Sequence, residues 1–207
     1  MNWGNIVAIV AAMLVAVGLP LALRSRKKGG QKKVEELCQH LQRIGVEASA
    51  LEEGTSQEKP AQKRSWGEKS VGIIKLTDKN IDSISVIGVA SQYGANYFLD
   101  YLVTSPSLIV GNKKKKTRMS MKKSSLLRGE AIDIEWKGDN SLAQKLNLDY
   151  RLKDKLLQAD LSTLKGSIQI IPESKYGYVR IRTTYLLPSP DVFDSMDIIA
   201  KHISSGW

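Results

Sequence analysis

The chain has 207 residues and a formal net charge of +10, with 25% charged and 42% hydrophobic residues. This composition is typical of a globular protein and excludes a disordered or collagen-like chain. The single cysteine, Cys38, excludes an intramolecular disulfide framework and a multi-cysteine metal site. With two histidines, His40 and His202, the chain cannot build a histidine-rich metal centre by itself.

The first apolar segment, residues 6–23, has the composition of a transmembrane helix. It holds 18 residues without a charged side chain, and a helix of that length spans about 27 Å, close to the hydrocarbon thickness of a thin bilayer. A cleaved signal peptide, the main alternative, would have a basic start and a shorter apolar run. A buried helix of a soluble core is less consistent with a run that is apolar on every side. We therefore predict an uncleaved, single-pass anchor that contacts the lipid bilayer.

The basic residues that follow this segment predict its orientation. Six of them lie in residues 24–33, a basic juxtamembrane segment, whereas residues 1–5 contain no Lys or Arg. By the positive-inside rule, residues 1–5 would be extracytoplasmic and the remainder of the chain would lie in the cytoplasm, at the cell membrane.

A second basic cluster lies within residues 113–123. Its members are Lys113, Lys114, Lys115, Lys116, Arg118, Lys122 and Lys123. Outside the two clusters, the chain contains 18 basic and 21 acidic residues, so the rest of the chain has a net charge of −3. The cluster is interpreted as a solvated loop, as a contact for anionic lipid headgroups or as a nucleic-acid site. The last is disfavoured because the neighbouring aromatic residues of a single-strand binder are missing.

The hydrophobic pattern predicts an α+β fold with a mostly antiparallel sheet and helices packed on one face. An amphipathic helix is predicted over 34–45, a polar linker or loop over 46–69 and an α+β domain over 70–207. Alternating residues predict strands at Asn96–Thr104, Thr117–Met121, Ala131–Lys137 and Tyr178–Leu186. Residues 107–110 are expected to continue the sheet. Asp149 and Ser189 have the pattern of helix N-caps.

No catalytic, cofactor-binding or metal-binding motif is found in the sequence, and no cofactor is predicted. Asp133 and Glu135 share a strand face, which is more typical of a solvated surface than of an acid–base pair. Tyr178, Arg180 and Arg182 form a stripe that could meet an acidic or phosphate partner, and they are the secondary candidate surface.

These observations predict a non-enzymatic, membrane-anchored module that binds a protein partner or scaffolds a complex. An anionic-lipid sensor that uses residues 113–123 is one alternative. An enzyme with a site built from dispersed residues is the other.

Overall fold

The computed structural model describes residues 29–51, 67–91, 94–109, 114–123, 131–159 and 168–207. The predicted anchor, 6–23, and the first part of the juxtamembrane segment, 24–28, lie outside the described residues. Among the helices that the structure describes, none has the length and hydropathy needed to cross a bilayer.

The described part of the chain is an α+β structure built on one antiparallel sheet. Its helices are α1 (29–43), α2 (Pro106–Ile109), α3 (Asn140–Leu148), α4 (Tyr150–Gln158) and α5 (Pro190–Ser204). Its strands are β1 (Ala48–Ala50), β2 (Glu68–Leu76), β3 (Ser83–Ser91), β4 (Gly94–Thr104), β5 (Thr117–Lys123), β6 (Ala131–Lys137), β7 (Gln169–Glu173) and β8 (Tyr178–Thr184). The order across the sheet is β1-β2-β3-β4-β8-β7-β5-β6, with antiparallel pairing throughout. The predicted fold class is confirmed in this respect.

The described helices contribute to one apolar core on one face of the sheet, called here the helix-covered face. Leu99, Tyr101 and Val103 of β4 point into this core, as their alternation predicts. The helices add a larger apolar set: Leu37 and Leu41 from α1, Leu108 from α2, Leu142 and Leu146 from α3, Leu152 and Leu156 from α4, and Phe193, Met196 and Ile199 from α5. Burying this surface is the main stabilising contribution to such a fold.

Helix α1 packs closely on β2 because glycines remove side chains at the points of contact. A Cβ on Gly30 would lie 2.9 Å from the Val71 side chain, and one on Gly72 would lie 2.8 Å from that of Val34. The pairing of β2 with β3 shifts between Ser70 and Gly72, so Val71 is the extra residue of a β-bulge. Bulges re-aim side chains, and this one meets the start of α1.

Contacts of Lys33 with two tyrosine rings hold the N-terminal part of α1 at one end of the sheet, called here the α1 end. The Lys33 ammonium lies 5.2 Å from the centroid of the Tyr97 ring and 4.2 Å from that of Tyr185. The Tyr185 hydroxyl donates to the Lys33 carbonyl at 2.9 Å. Burial and the neighbouring Glu36 carboxylate raise the pKa of Tyr185 above its ordinary value, so this donor stays protonated at neutral pH.

Two stretches differ from the sequence-based expectation. Residues 48–50 and 68–69, inside the predicted linker 46–69, belong to β1 and β2. From the sequence, residues 107–110 are expected to continue the sheet, but Pro106–Ile109 is a short helix, because Pro106 has the fixed φ that favours the first position of a helix.

Side chains form hydrogen bonds with backbone groups at the ends of helices and along the edge strand β6. Asp149 accepts from the Leu152 N–H at 2.9 Å, and Ser189 accepts from the Val192 N–H at 3.3 Å, as their patterns predict. At β6, the Asn147 side-chain amide accepts from the Trp136 N–H at 2.8 Å and donates to the Trp136 carbonyl at 3.0 Å.

Candidate functional site

The residues of the predicted basic cluster make different contacts in the structure. Lys113 lies outside the described residues. The Lys114 ammonium lies 5.6 Å from the ring centroid of Trp207, a buried residue of the core. The Lys115 N–H donates to the Asp139 carboxylate at 3.2 Å. These residues therefore support the local structure as well as carrying charge.

The remaining basic residues follow β5, which pairs with β6 as one arm of a hairpin. Because β5 is antiparallel to β7, and β7 to β8, it runs toward the α1 end, as β8 does. Lys122 is exposed and pairs with Asp133 at 3.4 Å, and Lys123 is the last residue of the strand. The end of the basic cluster thus lies at the same end of the sheet as the start of α1.

The sheet register brings part of this cluster beside the secondary candidate surface. Arg118 is opposite Gln169, Gln169 is opposite Arg182, and Arg182 is opposite Asp100. These side chains form one row on the face of the sheet that points away from the helices, called here the second face. Burial, followed by the nearby charges of Arg118, Arg182 and Arg180, lowers the pKa of Lys116.

The second face contains an ionic network rather than a free cationic stripe. Arg182 contacts Asp100 through Nε at 2.7 Å and Glu68 through Nη1 at 2.6 Å. Arg180 contacts Asp100 at 3.3 Å and also pairs with Glu173. Asp100 is 0% exposed, and Arg180 is 8% exposed. Charges at such depth are stable only when they are paired and hydrogen-bonded.

The pKa directions in the network favour the ionised form on both sides. The hydrogen bond from Arg182 holds the pKa of Glu68 below its ordinary value, against the opposing effect of burial. Burial acts against the charge of Arg182, but Asp100 and Glu68 outweigh it and raise the pKa of this guanidinium. The two predicted arginines are therefore paired with carboxylates of the chain itself, Asp100, Glu68 and Glu173.

A groove of about 790 Å³ lies on the same face, at the end of the sheet opposite the α1 end. Its floor is a small apolar cluster of Ile73, Leu102 and Tyr178, against which Leu51 and Tyr176 pack. The rings of Tyr176 and Tyr178 stack, with centroids 5.9 Å apart and planes inclined by 21°. An apolar floor with a few polar groups around it is the usual composition of a binding groove.

Three lysines line the groove: Lys75, Lys79 and Lys175. Lys75 lies on β2, whereas Lys175 lies in the turn between β7 and β8, so cations stand at both ends of the apolar floor. Asp82 also lines the groove, but its carboxylate accepts the Thr104 N–H at 2.6 Å and serves the local fold. The groove therefore combines an apolar floor with a lining whose net charge is +2.

Sequence reasoning identified Tyr178 but missed the groove, because its lining comes from segments that are far apart in the chain. The pair Asp133 and Glu135 is held by lysines: Asp133 contacts Lys153 at 2.6 Å, and Glu135 contacts Lys137 at 3.0 Å. Within the part of the chain that the structure describes, no group of three or more His, Cys, Asp or Glu side chains could hold a metal ion.

The chain matches no known family model, no curated protein and no solved structure.

Proposed function

We propose that the chain is a single-pass, membrane-anchored protein whose α+β domain acts as a protein-binding or scaffolding module on the cytoplasmic side of the cell membrane. Residues 6–23 are the proposed anchor, with residues 1–5 outside. The observation that carries the binding role is the groove on the second face, which lies at the opposite end of the sheet from the start of α1.

The position of the groove is compatible with tethering. Residues 24–28 connect the proposed anchor to α1, and five extended residues reach about 17 Å. The α1 end would therefore stay near the bilayer, while the groove would face away from it. A partner in the cytoplasm could then reach the groove without meeting the membrane surface.

Cysteine labelling tests the proposed topology. In a Cys38→Ser background, Asn2→Cys should react with a membrane-impermeant maleimide on intact bacterial spheroplasts. Ser204→Cys, an exposed position on α5, should react only after permeabilisation. The reverse labelling pattern would contradict the proposed orientation, and extraction of the chain by alkaline carbonate would contradict the anchor.

Site-specific photocrosslinking tests the binding role. A photoreactive residue in place of Lys175, in the groove, should give discrete adducts in cells, and Lys75→Glu should reduce them. The same residue in place of Lys201, which is exposed on α5, is the matched control and should not give these adducts. Equal adducts at both positions, or none in the groove, would overturn this role.

The direction of β5 favours a second candidate function, sensing of anionic lipid. Lys122 and Lys123 lie at the α1 end of the sheet, and each cation near an anionic membrane surface contributes about 1 kcal/mol. In nanodiscs that contain anionic lipid, the acylation rate of these two lysines should fall relative to neutral nanodiscs, whereas that of Lys201 should not change. Equal rates at Lys122 and Lys123 in both lipids would contradict lipid sensing.

A further inference from the structure

We infer that the groove on the second face binds an extended acidic segment of a protein partner, in which two carboxylate side chains flank apolar residues about four positions apart. This inference rests on the proposed binding function and assigns the chemistry of the partner. Its basis is the arrangement of cations around the apolar floor.

The charge of the groove selects an anionic occupant. Its lining contains Lys75, Lys79, Lys175 and the carboxylate of Asp82, which together carry a net charge of +2. The Lys79 ammonium lies 5.9 Å from the centroid of the Phe193 ring, so Lys75 and Lys175 are the cations assigned to the occupant. The lysine ammonium groups are positively charged hydrogen-bond donors, so they favour carboxylates and disfavour basic segments.

The spacing of the cations selects an extended segment. Lys75 is on β2 and Lys175 follows β7, so the floor crosses the neighbouring strands β2, β3, β4 and β8. Four strands at a spacing of about 4.8 Å cover about 14 Å, which corresponds to about four residues of extended chain. A carboxylate at each end of such a segment would reach one lysine group.

The floor selects apolar residues between the two carboxylates. Ile73, Leu102 and Tyr178 form a small apolar cluster there, and Tyr176 stacks on Tyr178. Lys175 also stands 5.8 Å from the centroid of the Tyr176 ring, so one cation adjoins the aromatic part of the floor. An acidic segment with apolar residues in its centre matches both features.

Fluorescence anisotropy on the full chain in detergent tests this inference. The probe is a fluorescein-labelled peptide containing Glu-Ala-Leu-Ala-Glu, in which the two Glu side chains and the central Leu lie on one face of an extended segment. It should bind saturably. Peptides with Lys or Gln in place of both Glu residues should bind at least about tenfold more weakly, and one with the two Glu residues adjacent should bind up to about fivefold more weakly. Each lost exposed ion pair contributes up to about a fivefold change in affinity.

A pair of charge-matched variants locates the binding site. Lys75→Glu combined with Lys175→Glu should weaken binding at least about tenfold. Lys32→Glu combined with Lys201→Glu makes the same change in net charge at exposed positions outside the groove, and should retain most of the affinity. Thermal unfolding of both variants checks that the fold is intact.

Several outcomes would overturn the inference: equal loss in the two variants, equal binding of the Glu and Gln peptides, or displacement of the probe by ATP at lower concentration than by unlabelled peptide. The last would assign the groove to a small anionic ligand. Adducts at position 175 in cells together with failure of the acidic probe would reject the acidic class alone, and would leave the proposed binding function in place.

Discussion

The two faces of the sheet bury their side chains by different means. Leu99 and Asp100 are neighbours on β4 and both are 0% exposed, yet Leu99 packs among apolar side chains and Asp100 contacts two arginines. Apolar packing is not directional, so the cost of a change depends on the cavity left behind. An ionic network depends on every partner, because removal of one member leaves a buried charge uncompensated.

The largest expected effects come from truncating these two neighbours. Asp100→Ala should lower the free energy of unfolding by about 3–5 kcal/mol, because Arg180 and Arg182 lose a buried partner. Leu99→Ala should lower it by about 2–5 kcal/mol, through lost transfer energy and a cavity. Chemical denaturation measures both, with Asp154→Ala on the exposed side of α4 as the control. A loss below about 1 kcal/mol at Asp100 would contradict the importance of the network.

A double-mutant cycle separates the two mechanisms. Arg182→Met should couple to Asp100→Ala by about 0.5–3 kcal/mol, because these residues are direct partners. It should add to Leu99→Ala within about 0.5 kcal/mol, because Leu99 lies on the other face. Additivity in both pairs would mean that the ionic contacts contribute nothing specific to stability.

An intermediate effect is expected where α1 meets β2. Gly72→Ala should lower the free energy of unfolding by about 1–3 kcal/mol, because the new methyl group would meet the Val34 side chain at 2.8 Å. The loss should be smaller in a Val34→Ala background, which makes room for that methyl group. Equal losses in both backgrounds would show that the close approach of α1 does not set the cost.

The smallest expected effect is the pH dependence of the free energy of unfolding that comes from Glu68 on the second face. The pKa of Glu68 is below its ordinary value of 4.5 in the folded chain, so the unfolded chain binds the proton more readily. Its stabilising contribution is therefore present above pH 4.5 and lost as the pH falls below that value. Glu68→Gln should be less stable than the wild type by about 1 kcal/mol at pH 7.

Unfolding curves from pH 7 to pH 3 test that sign. The difference in the free energy of unfolding between Glu68→Gln and the wild type should become smaller as the pH falls below 4.5. The control Glu47→Gln, at an exposed position, should have the same free energy of unfolding as the wild type at every pH. A difference that stays constant down to pH 3 would contradict the assigned direction.

Much of the helix-covered face could be predicted because its pattern is local. The alternation of Leu99, Tyr101 and Val103 placed them on one side of a strand, and the structure confirms it. The N-cap patterns at Asp149 and Ser189 predicted the starts of α4 and α5 for the same reason. Three-residue β1 has no comparable periodic signal, and it forms because β2 offers a partner edge.

The second face could not be predicted, because its burial depends on residues that are distant in sequence. Alternation placed Arg180 and Arg182 on one side of a strand but gave no sign that Asp100, on the antiparallel neighbour β4, would neutralise them. The groove has the same property, since Lys75 and Lys175 are 100 positions apart in the chain. Net charge and residue spacing are properties of single segments, so they do not predict a site that forms only when distant strands pair in a particular order.

The two hydrogen bonds between Asn147 and Trp136 affect edge-to-edge association of the protein at high concentration. Among the strands that the structure describes, β6 is the last in the order, and an edge strand can template the addition of a foreign strand. At Trp136 both backbone groups are occupied by the Asn147 amide, and the neighbouring Ile134 N–H is taken by Asp133 at 2.8 Å. In crowded solutions of this protein, these backbone groups are therefore not available to pair with a strand of another copy.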